Sequence, residues 1–291
     1  MKRKLEVIRS PYTGYCFGVK RAMRMIEQGL QEHGNTISTL GEIIHNPQAV
    51  ERLRERGIHP VSSLDDVEED TTLVIRAHGV HPEIIKEAKK RGIKLLDATC
   101  PFVLKSQYYV RRLFESSFQV IIIGDSNHPE VRSLSGHAGG RALIINNVDE
   151  AERVEAMERA GLVIQTTFSE EKAKEIINVL RGKIQELKVY DTICQATVLR
   201  REATLELAER VDLMLVVGGR ESSNTRRLYR MCLDKGIPAK FVERAEEIES
   251  EWFRGCRRIG LATGTSTPDW VIDEVLERLD ALSRDEKGST E

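Results

Sequence analysis

None of the five cysteines in this 291-residue chain belongs to a CxxC pair. The zinc-ribbon, ferredoxin and thioredoxin spacings, which place two sulfurs in one loop, are thereby excluded. No stretch approaches the roughly 18 apolar residues of a membrane span, and the basic start Met1-Lys2-Arg3-Lys4 is not followed by the apolar stretch of a secretory signal. Charge of one sign is lacking too. Lys+Arg 44 against Asp+Glu 46 leaves a net charge of -2, which offers no footprint for nucleic acid. There is no GxGxxG fingerprint either: Gly218-Gly219-Arg220-Glu221 reads as a turn before a helix, so no bound nicotinamide is expected. An odd cysteine count without a signal points to reduced thiols in the cytoplasm, and the expected partners are small molecules or proteins.

What is present is a repeat. Cys16, Cys100 and Cys194 lie at intervals of 84 and 94 residues, each where a strand hands over to a helix and each followed by a base within a turn or two. The contexts are Gly14-Tyr15-Cys16-Phe17-Gly18, Ala98-Thr99-Cys100-Pro101-Phe102 and Thr192-Ile193-Cys194-Gln195-Ala196. A thiol at a helix N-terminus meets the positive end of the helix dipole, which with a nearby cation favours the thiolate and metal binding. One such cysteine alone would read as core packing, and Cys232 and Cys256, which lack the pattern, keep that reading.

Short β-type runs alternate with helical patterns throughout, the signature of βαβ units and parallel sheets. The clearest strands are Leu73-Val74-Ile75, Val120-Ile121-Ile122-Ile123, Leu162-Val163-Ile164, Leu213-Met214-Leu215-Val216-Val217 and Ile259-Gly260-Leu261, with helices from Pro82, Ser169, Ser222 and Pro268. A second polar station recurs 28 to 30 residues after each cysteine: His45, His128 and Ser222-Ser223-Asn224. A third closes each repeat at Arg76-Ala77-His78-Gly79, Gln165-Thr166-Thr167 and Thr263-Gly264-Thr265-Ser266. In open α/β sheets ligands bind outside the carboxyl ends of the strands, where all nine stations fall. The expected fold is therefore α/β: three small domains with mainly parallel sheets, in a pseudo-threefold (trefoil) arrangement around one central site. Their bounds are 14–99, 100–191 and 192–282, the N-terminal strand of residues 1–13 joins the third, and 283–291 form a disordered tail.

Three thiolates suit zinc with an open position or an iron–sulfur cluster, and a three-ligand cubane leaves one iron free as Lewis acid and electron source. The station histidines and hydroxyls make a donor-rich, partly cationic pocket of the kind anions such as phosphates require. Glu130 would repel such an anion and is better cast as a proton donor with a raised pKa. His33, His59, His81 and His137 lie off the stations and read as structural.

Taken together, Gly14-Tyr15-Cys16-Phe17-Gly18-Val19, Ile44-His45-Asn46, Arg76-Ala77-His78-Gly79-Val80, Asp97-Ala98-Thr99-Cys100-Pro101, His128-Pro129-Glu130-Val131, Gln165-Thr166-Thr167, Ile193-Cys194-Gln195-Ala196-Thr197, Ser222-Ser223-Asn224 and Ser266-Thr267-Pro268-Asp269 closely resemble the LytB/IspH family of 4-hydroxy-3-methylbut-2-enyl diphosphate reductases. The resemblance runs in order from about residue 5 to 282. It implies a 4Fe–4S cluster held by Cys16, Cys100 and Cys194 with one iron open to substrate. It also implies reductive dehydroxylation of the diphosphate to isopentenyl and dimethylallyl diphosphate, the last step of the non-mevalonate isoprenoid pathway. By the same resemblance His45, His78, His128, Thr166, Ser222, Ser223, Asn224 and Ser266 bind the substrate. Glu130, Thr166 and His128 are implied as catalytic, and ferredoxin or flavodoxin as the electron donor. The chain differs from the family pattern at Ser133, where glycine is frequent, and at Val198, Leu199 and Arg201. Ala262-Thr263-Gly264-Thr265 varies a usual Thr-Ala-Gly-Ala run.

Overall fold

The computed structural model describes residues 5–33 and 36–288. In chain order β1 (Glu6–Arg9) and α1 (Phe17–His33) are followed by β2 (Ile37–Leu40), α2 (Pro47–Glu55), β3 (His59–Val61), β4 (Thr72–Ile75), α3 (Pro82–Lys90) and β5 (Lys94–Asp97). Next come α4 (Pro101–Glu115), β6 (Gln119–Ile123), α5 (Pro129–His137), β7 (Leu143–Ile145), α6 (Val148–Glu152), β8 (Met157–Ile164), α7 (Glu170–Arg181) and β9 (Ile184–Tyr190). The chain closes with α8 (Gln195–Ala208), β10 (Leu213–Val217), α9 (Ser223–Asp234), β11 (Ala239–Val242), β12 (Arg258–Thr263) and α10 (Asp269–Gly288).

The strands build three four-stranded sheets with one topology. Their orders are β3-β2-β4-β5, β7-β6-β8-β9 and β11-β10-β12-β1, and every pairing is parallel. The N-terminal strand β1 thus takes, beside β12, the edge that β5 and β9 take in the other two sheets, with Val7 opposite Ile259 and Ile8 opposite Gly260. The chain divides into two compact units: Met1–Val19, Ile44–Arg52 and Gln195–Glu291 form one, Lys20–Ile43 and Leu53–Cys194 the other.

Each central strand reads as a continuous apolar run because both faces of its sheet are covered. In β10, Leu213, Leu215 and Val217 pack with Val271, Ile272, Val275 and Leu279 of α10. Met214 and Val216, pointing the other way, pack with Leu207 and Ala208 of α8 and Leu228 and Cys232 of α9. Each such side chain, withdrawn from water, stabilises the fold by about 1.5–3 kcal/mol. The helices begin where their sequences stop them from continuing backwards. Cys100, His128 and His81 are N-caps with extended backbones before a proline at the first helical position.

One expectation fails. The segment from 283 is not a disordered tail, since α10 continues to Gly288. Low hydrophobicity argues against burial, not against helix, and Arg284 pairs with Asp280 one turn back. Residues 289–291 lie outside the described residues.

Candidate functional site

All three station cysteines lie outside any disulfide and are half-buried. Cys100 caps α4, while Cys16 and Cys194 immediately precede α1 and α8. Each is fixed by the same contact: its backbone N–H donates to the carbonyl of the loop after a central strand. The pairs are Cys16 to Thr265 at 3.0 Å, Cys100 to Ala77 at 3.0 Å and Cys194 to Thr166 at 2.8 Å. The first station of each repeat is therefore held by the third station of the preceding repeat, with Cys16 held by that of the last. Cys232 is fully buried and burial pushes its thiol up to about 11, while Cys256 is also raised by burial. Neither is poised to be a thiolate.

The bases that follow the three cysteines do not share one role. Arg21 donates to the Thr99 carbonyl at 3.1 Å, Lys105 lies 5.8 Å from the centre of the Tyr109 ring, and Arg200 is buried among carbonyls. Sequence reasoning treated them alike as nearby cations; their geometry is individual.

In the unit that holds Cys100 and Cys194, the polar groups gather at the carboxyl ends of β4, β6 and β8. Glu130 stands in the first turn of α5 and is 1% exposed. Thr166, on the loop after β8, donates to both of its oxygens: N–H to Oε1 at 2.7 Å and hydroxyl to Oε2 at 2.7 Å. Burial raises the Glu130 carboxyl to about 7, although both Thr166 bonds oppose the rise. His128 caps the same helix, its Nδ1 accepting from the Glu130 N–H at 3.2 Å, so that its other ring nitrogen carries the proton of the neutral form. The His78 and His128 rings meet edge to face at 5.3 Å. The turn after His78 is held by two residues outside the three stations. Ser133 donates to the Val80 carbonyl at 3.0 Å and accepts from Gln107 Nε2 at 3.0 Å, all three being buried.

In the unit that holds Cys16, Ser222 caps α9 and accepts from the Thr225 N–H at 3.3 Å, with Ser223 and Asn224 opening the helix. Ser266 donates to the His45 carbonyl at 3.2 Å. Asn46 is fully buried and caps α2 through Oδ1 to the Ala49 N–H at 2.9 Å. The amide nitrogens of Asn46 and Asn224 are buried without an acceptor among the described residues, two donors of the kind an oxyanion satisfies. Asn224 is among the substrate residues that the resemblance implies, while the sequence offered for Asn46 only its place inside the Ile44-His45-Asn46 motif. Of the histidines off the stations, His81 caps α3, and burial beside Arg111 and His81 lowers His137 to about 4. Among the described residues no helix is long and apolar enough to cross a membrane.

The family model described as "LytB protein" matches residues 7–280. A protein of Citrifermentans bemidjiense named 4-hydroxy-3-methylbut-2-enyl diphosphate reductase is 40% identical over 281 residues, covering 97% of this chain and 99% of the relative. A protein of the same name from Aquifex aeolicus is 40% identical and covers 96% of this chain and 97% of itself. A solved structure of (E)-4-hydroxy-3-methyl-but-2-enyl diphosphate reductase, described as the terminal enzyme of the non-mevalonate pathway, superposes with a TM-score of 0.71 at 40% identity, over 95% of this chain and 99% of that one. The Plasmodium falciparum E-1-hydroxy-2-methyl-but-2-enyl-4-diphosphate reductase superposes with a TM-score of 0.89 at 28% identity, over 94% of this chain and 87% of that one. Matched from residue 7 to 280 and aligned with full-length relatives at 40% identity, the chain belongs to the LytB family.

Proposed function

We propose that this chain is a 4-hydroxy-3-methylbut-2-enyl diphosphate reductase, which removes the allylic hydroxyl with two electrons and two protons and releases water with isopentenyl or dimethylallyl diphosphate. Cys16, Cys100 and Cys194 would hold a 4Fe–4S cluster and leave one iron without a protein ligand, and a ferredoxin or flavodoxin in the cytoplasm would deliver the electrons. The observation that carries the reading is the repeated cysteine geometry: three cysteines outside any disulfide, each at a helix start and each tied by its N–H to the carbonyl of the loop after a central strand. That donor set fits a cluster with one open position, because soft thiolates at helix N-termini are favoured as iron ligands while the two remaining cysteines are held protonated by burial. When bound, the cluster supplies a Lewis-acidic iron and the path for both electrons.

The chain's own residues do the rest. His45, His78 and His128, the start of α9 at Ser222, Ser223 and Asn224, and Ser266 donate to the diphosphate, and the buried amide of Asn46 adds a further donor. Burial raises the Glu130 carboxyl to about 7, so that a large share of it is protonated at neutral pH, and it gives that proton to the departing oxygen along the Thr166 hydroxyl, which already bridges to Oε2. The Nδ1 of His128 accepts from the Glu130 N–H, which assigns donation to the substrate to the other ring nitrogen.

The test is a set of single serine variants purified without oxygen and examined by visible absorption, iron count and turnover with a chemical reductant. Cys16→Ser, Cys100→Ser and Cys194→Ser should each lose iron and colour, and Cys232→Ser should keep both. Full iron and wild-type turnover in any of the first three would overturn the assignment. Turnover of wild type in the absence of any reductant would instead point to a hydratase.

A further inference from the structure

The connection that carries Cys16 is unlike those that carry the other two cysteines. From the end of β5 to Cys100 the chain advances from Asp97, and from the end of β9 to Cys194 it advances from Tyr190, so each cysteine follows its strand almost at once. Between the end of β1 at Arg9 and Cys16 lie six residues. A longer connection has more conformations to lose and needs more anchors to hold its ligand in one place.

The anchors are visible. Ser10 N–H donates to the Leu261 carbonyl at 2.8 Å, Gly14 N–H to Thr263 Oγ1 at 3.0 Å and Cys16 N–H to the Thr265 carbonyl at 3.0 Å. The connection is thus stitched to every second residue along the end of β12 and its loop. Gly14 has φ +77, and a Cβ there would fall 2.1 Å from the Asp269 carboxylate, so the chain passes close against the start of α10. Behind the stitching lies Arg200, 4% exposed. Its Nη1 donates to the Thr263 carbonyl, to Thr263 Oγ1 and to the Gly264 carbonyl, each at 2.9 Å, and its Nη2 donates to the Gly14 carbonyl at 2.9 Å. One rigid guanidinium therefore bridges the Cys16 connection and the end of β12. In the corresponding turn before Cys194 it is Thr192 that closes the gap, donating to the Ile164 carbonyl and accepting from the Ile164 N–H.

We propose that Arg200 is a positioning residue for the Cys16 ligand, its buried fork holding the Gly14–Cys16 segment in the geometry in which the Cys16 thiolate binds iron. The inference rests on the reading of Cys16 as a cluster ligand. The site also places a permanent cation near Cys16. Burial lowers the Arg200 guanidinium to about 10, with Cys16 and Asp269 acting against the fall, so the group remains charged at neutral pH. A buried positive charge beside a ligand favours the more negative, reduced form of the cluster.

Three variants separate positioning from bulk stability. Arg200→Lys keeps the charge and loses the fork, Arg200→Gln loses the charge, and Thr263→Val removes the hydroxyl that accepts from both Arg200 and the Gly14 N–H while leaving the arginine and its bonds to the Gly14, Thr263 and Gly264 carbonyls in place. In the apoprotein, hydrogen exchange of the peptide around residues 10–17 should accelerate about tenfold or more in both Arg200 variants, with the peptide around Cys100 unchanged. After reconstitution, loss of iron to a chelator should be about ten- to hundred-fold faster in both Arg200 variants, and less so in Thr263→Val. The midpoint potential should fall in Arg200→Gln and hold in Arg200→Lys. Uniformly faster exchange across the chain, or unchanged exchange and iron retention in both Arg200 variants, would overturn the proposal. Full iron in Cys16→Ser would remove its premise, a failure of the cluster assignment that these readouts keep separate.

Discussion

Thr166 grips both oxygens of Glu130, one through its backbone N–H and the other through its hydroxyl, each at 2.7 Å. Two strong donors on one carboxylate normally favour the charged form. Here burial outweighs them, and the group stays protonated up to about pH 7. The pair combines a proton poised for release with a hydroxyl in line to pass it on, a configuration that neither residue provides alone.

Glu130→Gln keeps the shape of the acid and removes its proton. Turnover should fall by at least about a hundredfold while cluster colour and diphosphate affinity persist. In the wild type the acid must be protonated to act, so kcat/KM should decline as pH rises through about 7. The same group has a stability signature of fixed sign. Its folded-state pKa lies above its ordinary value, so the fold binds the extra proton and loses stability as pH rises from about 4.5 to about 7, by roughly 3 kcal/mol. Thermal unfolding of Glu130→Gln against pH should lack that decline, and a variant that follows the wild-type curve would show that another group is responsible.

Thr166→Val removes the hydroxyl donor and leaves the backbone N–H to Oε1 in place. Loss of a bond that favoured the carboxylate must raise the Glu130 pKa further, so the alkaline limb of kcat/KM should move to higher pH. Turnover at the optimum should nonetheless drop by about tenfold or more, because the path for the proton is cut. Thr166→Ser restores the hydroxyl and should restore both the limb and most of the rate.

Ser133 stands where the resemblance led to an expectation of glycine, and its hydroxyl makes two buried hydrogen bonds. It ties α5, which carries His128 and Glu130, to the turn after His78 through the Val80 carbonyl and Gln107. Ser133→Ala strands one buried acceptor and one buried donor, at a cost of about 1–3 kcal/mol. The midpoint of thermal unfolding should fall by several degrees, and KM for the diphosphate should rise a few-fold with kcat nearly unchanged, as steady-state kinetics on the same preparation would read out.

Most of the fold was legible because its signals are local. Runs such as Val120-Ile121-Ile122-Ile123 and Leu213-Met214-Leu215-Val216-Val217 can only be strands covered on both faces, and proline or serine before an acid marks the starts of α3, α5 and α7. The repeat made the sheets predictable as a set. The contacts that hold the stations were not legible, since they join residues far apart in sequence. Arg200 reaches Gly14 across 186 positions, and Gln107 reaches Ser133 across 26. Nothing near Gln107 distinguishes it from a solvent-facing helix residue. The end of α10 was misjudged for the opposite reason: Arg, Asp, Glu and Lys are poor core formers yet good enough helix formers, and composition speaks only to the first property.

Gly219 offers a test of how tightly the His45 segment is held. A Cβ there would lie 2.4 Å from the His45 carbonyl oxygen and 3.2 Å from the Asn46 Cα, backbone atoms that no side-chain rotation can move aside. Gly219→Ala must therefore push residues 45 and 46 away from the turn before α9, displacing the His45 ring and the buried Asn46 amide together. KM for the diphosphate should rise about tenfold or more, because interactions made to the ligand on binding are lost before the chemistry begins. Gly236→Ala is the matched control. Its φ is +71 and nothing lies within 4 Å of the added carbon, so it should cost about 1–2 kcal/mol of stability through backbone strain and leave KM where it was. Equal KM values for the two variants would mean that the His45 segment yields freely and does not set the grip on the diphosphate.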